Sequence, residues 1–280
     1  MTKIVSVIIS VYKKKRELEI LLTAFSMQTY TDFDVIIADD GSGEKILEFI
    51  NEFRKNCKYA ITFLTQEDIG FRKNKILNEA IKTTESDYLI FLDSDCIPHK
   101  DFVKAHIENS EENTVLFGRR VFLNKNLSDK LNTEYILSGK LNNLNYKALL
   151  SSLNLNHPSS AAEEGLIIEN KFLRKLFGLE KGMLVGCNFS ASKSLLLKVN
   201  GFDEDYTGAG IGEDTDIEYR LGLINAKFKS VRNLAVVFHI DHPKTVENNS
   251  NYDYFHYNVK TKNNYFCENG IIKTSSNNQG

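Results

Sequence analysis

Four short runs of apolar, largely β-branched residues punctuate the first third of the chain: Ile4 to Val11, Phe33 to Ala38, Ala60 to Leu64 and Tyr88 to Leu92. Unbroken runs of this length suit strands buried on both faces, where no side is left for polar residues. Between them the apolar positions recur at helical spacing. Arg16 to Met27 sets Leu18, Leu21, Leu22 and Phe25 on one side, Glu44 to Lys55 does the same with Ile46, Leu47, Ile50 and Phe53, and Asn74 to Lys82 continues the alternation. Strand and helix in strict succession predict an α/β domain with a mostly parallel sheet flanked by helices.

The pattern changes after residue 100. From about Asn124 to Gly182 the spacing is helical with polar loops, which predicts an inserted helical lid broken near Asn154 to Ser160, at His157-Pro158. Residues 1–245 are expected to form one domain, with a nucleotide-binding half over 1–100 and a donor and acceptor half over 101–245. Residues 246–280 are expected to form an extension whose end, Thr274 to Gly280, frays. Within the insertion, Lys171 to Phe177 is basic and amphipathic, a composition that suits anionic lipid. For so short a segment, the expectation is that Phe172, Leu173 and Leu176 pack on the main body.

Composition narrows the class. With 42% hydrophobic and 26% charged residues the chain is globular, and 35 basic against 37 acidic side chains leave −2, no match for a phosphate backbone. Nucleic acid is therefore excluded as the expected partner. Cys57, Cys96, Cys187 and Cys267 lack C-x-x-C spacing and are expected to be reduced thiols of a cytoplasmic chain. The basic run Lys13 to Arg16 follows the first apolar run, the reverse of a secretory signal. The apolar runs fall far short of the roughly 20 residues of a spanning helix, so any membrane contact is expected to be peripheral, at the inner face of the plasma membrane.

In open α/β sheets ligands bind beyond the carboxyl ends of the strands, and here those ends are acidic. Ile36-Ile37-Ala38 runs into Asp39-Asp40-Gly41-Ser42, and Leu89 to Leu92 runs into Asp93-Ser94-Asp95. Two carboxylates on one loop suit a hard divalent ion such as Mg²⁺ or Mn²⁺. A second cluster, Gly208 to Asp216, places three glycines and three carboxylates before a helix expected over Ile217 to Leu223. Asp214 or Thr215 could cap that helix, but capping needs one residue and leaves the glycines unexplained. His239 and His242 follow the apolar run Leu234 to Val237 as metal ligands or as surface residues.

Together these segments resemble the inverting glycosyltransferases of family 2 and its relatives with the GT-A fold, a Rossmann-like sheet. The resemblance runs through Val7 to Tyr12, Ser26 to Tyr30, Asp39 to Ser42, Gly70 to Ala80 and Tyr88 to Asp95. The later half is similar to the carboxy-terminal module of beta-1,4-galactosyltransferases, polypeptide N-acetylgalactosaminyltransferases and bacterial chondroitin polymerase. Gly186 to Ser192, Asn200 to Glu204, and Gly212-Glu213-Asp214 through Leu221 carry that likeness, and His239 falls where the module has a metal-binding histidine. Two departures stand out. The chain has no Trp for the glycine loop, so the acceptor platform differs, and the usual Arg-Asn of the third motif is Leu77-Asn78, which passes diphosphate contact to Arg72 and Lys75.

The resemblance implies transfer of a hexose or N-acetylhexosamine from a UDP-sugar to a glycan or lipid-linked glycan, in bacterial surface polysaccharide or lipopolysaccharide synthesis. It implies Asp95 and His239 as ligands of Mn²⁺ or Mg²⁺, with Asp93 and His242 as alternates, Asp214 as general base and Glu213 on donor or acceptor hydroxyls. Asp39, with Asp40 as the neighbouring alternative, would accept from the uracil imide. Ser10, Tyr12, Arg72, Lys75, Asn78, Asp93, Ser94, Gly186 and Gly212 would complete the nucleotide-sugar pocket. Two other readings compete. A sugar nucleotidyltransferase would need a glycine-rich basic loop after the first strand, where Val11 to Arg16 has no glycine. A non-catalytic sugar-nucleotide or glycan-binding module would not need Asp95, Asp214 and His239 together.

Overall fold

The four apolar runs become neighbouring parallel strands. The computed structural model describes residues 4–153, 158–208, 210, 212–243 and 249–274, with the side chains of Glu213 and Asn249 outside the described set, as are His157 and residues 275–280. The first part alternates β1 (Val5–Val11), α1 (Lys15–Phe25), β2 (Asp34–Asp39), α2 (Glu44–Phe53), β3 (Ile61–Thr65), α3 (Lys73–Thr83) and β4 (Tyr88–Asp93). β5 (Cys96–Pro98), α4 (Phe102–Asn109), β6 (Thr114–Phe117) and β7 (Arg120–Phe122) follow. Next come α5 (Lys125–Lys130), α6 (Thr133–Leu137), α7 (Leu144–Ser152) and α8 (Lys171–Leu176). β8 (Phe189–Ser192), α9 (Lys193–Lys198), α10 (Glu213–Leu223), β9 (Lys227–Ser230), β10 (Val237–His239) and α11 (Asn249–Asp253) follow, and after a π-helical stretch over Tyr254–Val259 the short α12 (Lys260–Lys262) completes the order.

The seven-stranded sheet runs β3-β2-β1-β4-β8-β6-β9, and a three-stranded sheet runs β5-β10-β7. β1, β2, β3 and β4 are parallel, whereas β8 runs antiparallel to both β4 and β6. Alternation along the strands splits the core between two faces. Val7, Ile9, Ile37, Ile90 and Leu92 pack with Leu18, Leu21 and Phe25 of α1, while Ile8, Ile36, Leu89 and Phe91 pack with α3 and α10. Each such side chain contributes about 1.5–3 kcal/mol on burial, which is why both faces must be covered. β3 departs from the expected two-faced burial: as the sheet's edge it leaves Thr62 and Thr65 exposed.

The insertion is built from short helices whose starts are written in asparagine. Asn124, Asn132 and Asn170 accept the backbone N–H of Leu127, Tyr135 and Leu173, capping α5, α6 and α8. Contrary to the packing expected for α8, Phe172 is 73% and Leu176 64% exposed, and Leu173 is exposed too. Arg174 is the side chain buried instead, because its guanidinium finds the carbonyls of Ile168, Ser230 and Arg232.

α10 begins at Glu213, four residues before the expected start, behind Gly212 and with no side-chain cap. Neither Asp214 nor Thr215 caps it, and Asp216 turns inward to pair with Arg220 in a fully buried ion pair. Of the apolar run Leu234 to Val237 only Val237 enters a strand, β10, since Leu234 and Ala235 turn back onto Val231. After α11 the chain returns to the body, where Asn200 donates to the carbonyls of Cys267 and Ile272 at 2.7 and 2.8 Å. Among the described residues no helix is long and apolar enough to cross a membrane.

Candidate active site

β1 lies between β2 and β4, and its register sets Val11 beside Asp39 and Ser10 beside Asp93. The strand order reverses here, so the carboxyl ends of β1, β2 and β4 splay around a crevice. That crevice is a cleft of about 760 Å³ whose walls include Ser10, Tyr12, Asp40, Asp93, Ser94, Asp95, Gly186, Asp214, His239 and His242. A volume of this order accommodates a ligand of drug or nucleotide size.

At the end of β2 the two aspartates divide their work. Asp39 is wholly buried, and one carboxylate oxygen accepts Ser42 N–H at 3.0 Å and the Thr65 hydroxyl at 2.7 Å. It shapes the loop without lining the cleft. Asp40 does line it, held by Gln66 Nε2 at 2.5 Å and the Arg72 N–H at 2.9 Å. Gly41, at φ +87°, comes so close to Asp68 that a Cβ would sit 2.7 Å from its backbone. Only glycine allows the two loops to meet there. Gln66 Oε1, Arg72 Nε and Asp39 Oδ1 are buried and have no partner within the protein, although none of the three residues lines the cleft.

The β4 end is charged and paired. Asp93 Oδ1 accepts from Ser10 Oγ at 2.6 Å and from Lys73 Nζ at 2.8 Å. Burial opposes its ionisation, but the Lys73 ammonium overcomes this and holds the carboxyl below its ordinary range. Asp95 carries an ion pair with Lys14. The small sheet decides what else reaches it: β10 pairs with β5 so that His239 faces Cys96, and Ile240 N–H donates to the Asp95 carbonyl at 2.9 Å. His239 Nε2 then stands 3.6 Å and His242 Nε2 3.1 Å from the Asp95 carboxylate.

Burial pushes His239 down to about 4, leaving a neutral imidazole with a free lone pair, while the hydrogen bond to Asp95 raises His242. Asp95, buried itself, is held well below the ordinary carboxylate range by His242 and Lys14. An ionised carboxylate and imidazoles converging this closely fit a divalent ion. Cys96 brings a third ligand atom within 4.8 Å of those of Asp95 and His239. Burial and a hydrogen bond to Cys187 keep that thiol protonated, so it is a neighbour to the donor set rather than a member.

On the opposite wall Asp214, in the first turn of α10, accepts Gly186 N–H at 3.2 Å and Thr215 N–H at 2.7 Å. Gly186 is fixed by the residues after it. Asn188 is fully buried, donates to the carbonyls of Arg119 and Ala235 at 2.8 and 2.9 Å, and faces His106 Nε2 at 3.1 Å. Ser190 Oγ holds the other His106 nitrogen at 2.8 Å, and burial pushes His106 down to about 4.

Besides Asp39, four expected residues fall elsewhere. Asn78 is buried against the turn after α9, donating to the Phe202 carbonyl and accepting its N–H, both at 2.8 Å. Arg72 turns its guanidinium to the Glu67 carbonyl, and neither it nor Lys75 lines the cleft. Gly212 starts α10 beside Tyr206. The Glu213 side chain lies outside the described set. Conversely, Lys14, Lys73 and Arg120 line the cleft unannounced. Lys73 stood one residue from Arg72 in the same motif, and only the start of α3 shows which of the two faces Asp93.

A sequence model described as "Glycosyl transferase family 2" matches residues 6–196, and one described as "N-terminal domain of galactosyltransferase" matches residues 175–243. The chain is 27% identical to the chondroitin synthase of Escherichia coli over 254 residues, covering 85% of this chain and 35% of that protein. It is 24% identical to the hyaluronan synthase of Pasteurella multocida, covering 85% of this chain and 24% of the synthase. The chain thus spans about a third or less of these relatives. Among solved structures it resembles a mannosyltransferase of Pyrobaculum calidifontis in complex with GDP-Man and Mn²⁺, at TM-score 0.58 and 14% identity over 87% of this chain and 59% of that one. It also resembles S. aureus TarS 1-349 in complex with UDP-GlcNAc, at TM-score 0.54 and 18% identity over 86% and 59%.

Proposed function

The chain belongs to glycosyl transferase family 2, and on that premise we propose that it transfers a hexose or N-acetylhexosamine from a UDP-sugar to a glycan hydroxyl with inversion. The observation that carries this reading is the convergence on one cleft of Asp40, the Asp93 and Asp95 pair, His239 with His242, and Asp214. Relatives named as chondroitin and hyaluronan synthases support a glycan acceptor. We place the reaction in surface polysaccharide synthesis, on a glycan or lipid-linked glycan at the inner face of the plasma membrane.

Asp40 takes the uracil imide in preference to Asp39, because Asp40 lines the cleft and Asp39 does not. An imide N–H is present in uracil and absent from cytosine, so a carboxylate acceptor separates the two. Asp95 and His239, with His242 as a further donor, would hold Mn²⁺ or Mg²⁺. When bound, that ion supplies charge neutralisation to the departing diphosphate. Lys14 and Lys73 add fixed positive charge beside it. Asp214, oriented by Gly186 and Thr215, takes the proton of the attacking hydroxyl as the new glycosidic bond forms.

Calorimetric titration of UDP, with GDP and CDP as controls and with and without Mn²⁺, tests the reading. Metal-dependent selectivity for UDP is expected. GDP preference would move the donor to a guanosine sugar, and no nucleotide binding would overturn the site.

A further inference from the structure

α8 inverts the usual arrangement of a surface helix. An amphipathic helix ordinarily buries its apolar stripe, yet here Arg174, 7% exposed, is turned in while Phe172 and Leu176 stand out in solvent. Phe177, which directly follows α8, is exposed as well, at 62%, and so is Met183 farther along the loop, at 66%. The segment is not loosely attached. Asn170 caps it, Arg174 Nη2 reaches the Ser230 carbonyl at 3.0 Å, and the Ser230 hydroxyl donates to the Leu179 carbonyl at 2.6 Å. Arginine and backbone bonds fix the helix to the end of β9, which frees its apolar side chains for something outside the chain.

We infer that α8 and the loop to Met183 form a docking surface for an anionic phospholipid bilayer. Charge selects this occupant. Lys171, Lys175 and Lys181 are exposed around the apolar residues; with the inward-turned Arg174 left out, they stand against Glu169 and Glu180 and leave the exposed side chains of residues 169–183 at 3 − 2 = +1 on a chain of net −2. Aromatic and aliphatic side chains ringed by lysines match the boundary between acyl chains and anionic headgroups, where lysine stems lie along the apolar layer and ammonium groups remain in water. The surface also leads to the cleft. Three residues beyond Met183 the chain reaches Gly186, which lines the cleft and donates to Asp214. A bilayer under α8 would therefore hold a lipid-linked acceptor near the base. That consequence rests on the proposed transfer reaction, whereas the docking surface itself does not.

The test is flotation of the protein with vesicles of phosphatidylcholine, with and without phosphatidylglycerol. Binding is expected only with phosphatidylglycerol. The triple variant Phe172→Ser/Leu176→Ser/Phe177→Ser and the double variant Lys171→Glu/Lys175→Glu should each lose on the order of tenfold or more in partitioning. All five positions are exposed, so both variants should fold, checked by circular dichroism, and should bind UDP as the parent does. No vesicle binding, equal binding by parent and variants, or loss only in Leu150→Ser/Leu153→Ser, at the exposed end of α7 and just past it, would overturn the inference. So would self-association that α8 variants abolish without any vesicle binding, since the occupant would then be a second copy. Parent protein that binds vesicles but no nucleotide would sink the transfer reading and leave the docking surface standing.

Discussion

The first half, β1 to β4, and the later half, β5 to β10, build opposite walls of one cleft by different means. In the first, side chains are placed by parallel register: Ser10 meets Asp93 because β1 and β4 are neighbours. In the second, they are placed by individual buried polar contacts. Gly186 reaches Asp214 through a loop held by Asn188 and His106, and His239 reaches Asp95 through a three-residue strand. A sheet distributes its energy over many equivalent bonds, whereas a buried polar network concentrates it in a few, each costly to break. The later half should therefore be the more fragile one, and the one whose failure uncouples nucleotide binding from transfer.

The largest expected effect is that of Asp95→Ala, where the two halves meet. It removes the group on which Lys14, His239 and His242 converge, and turnover should fall on the order of 10³-fold or more along with metal-dependent UDP binding. Retention of the Mn²⁺ effect in calorimetry would remove Asp95 from the donor set. Asp214→Asn confines the damage to the later half: turnover should drop by about 10²- to 10⁴-fold while UDP affinity stays. Parent-like turnover in that variant would end its assignment as base.

His106 sharpens the contrast through pH. Its folded value of about 4 lies below the ordinary 6.5 because burial disfavours the imidazolium. The penalty is absent above about pH 6.5 and grows as pH falls toward 4, reaching roughly 3 kcal/mol if this group acts alone. Thermal melts across that window should show the loss, and His106→Gln should flatten it. An unchanged slope in the variant would shift the cause to another group.

Asn78→Ala should cost about 2 kcal/mol of stability by leaving the Phe202 backbone unpaired, with UDP affinity intact. A lowered affinity and an unaltered melting point would return Asn78 to the nucleotide pocket. Smallest is Lys73→Ala, for which donor KM should rise about tenfold through loss of one fixed charge. A fall in kcat without change in KM would instead place Lys73 at the transition state.

Much of this site was legible in sequence because β strands end close to where their apolar runs end. β2 and β4 each run one residue past the expected end, so that Asp39 and Asp93 close the strands and Asp40 and Ser94-Asp95 follow them. The division of labour between Asp39 and Asp40 was not legible, since alternate residues of a strand point to opposite sides and the exit of the chain from β2 settles which carboxylate meets the cleft. Asn78 misled for a similar reason: its place in a motif says nothing about the Phe202 turn that claims its amide. α8 misled differently. Helical periodicity assumes that apolar residues turn inward, and Arg174 satisfied three backbone carbonyls that no leucine could.

By itself, then, the sequence determined the alternation of strand and helix, the acidic strand ends and the family, because these depend on local periodicity and on residues adjacent in the chain. Tertiary structure alone decided that Lys14 would meet Asp95, that Gly186 would hold Asp214, and that Lys73 rather than Arg72 would face the carboxylates. Each of these pairs residues whose separation along the chain carries no signal, and each is set by strand pairing or buried hydrogen bonds that form only when the whole domain closes.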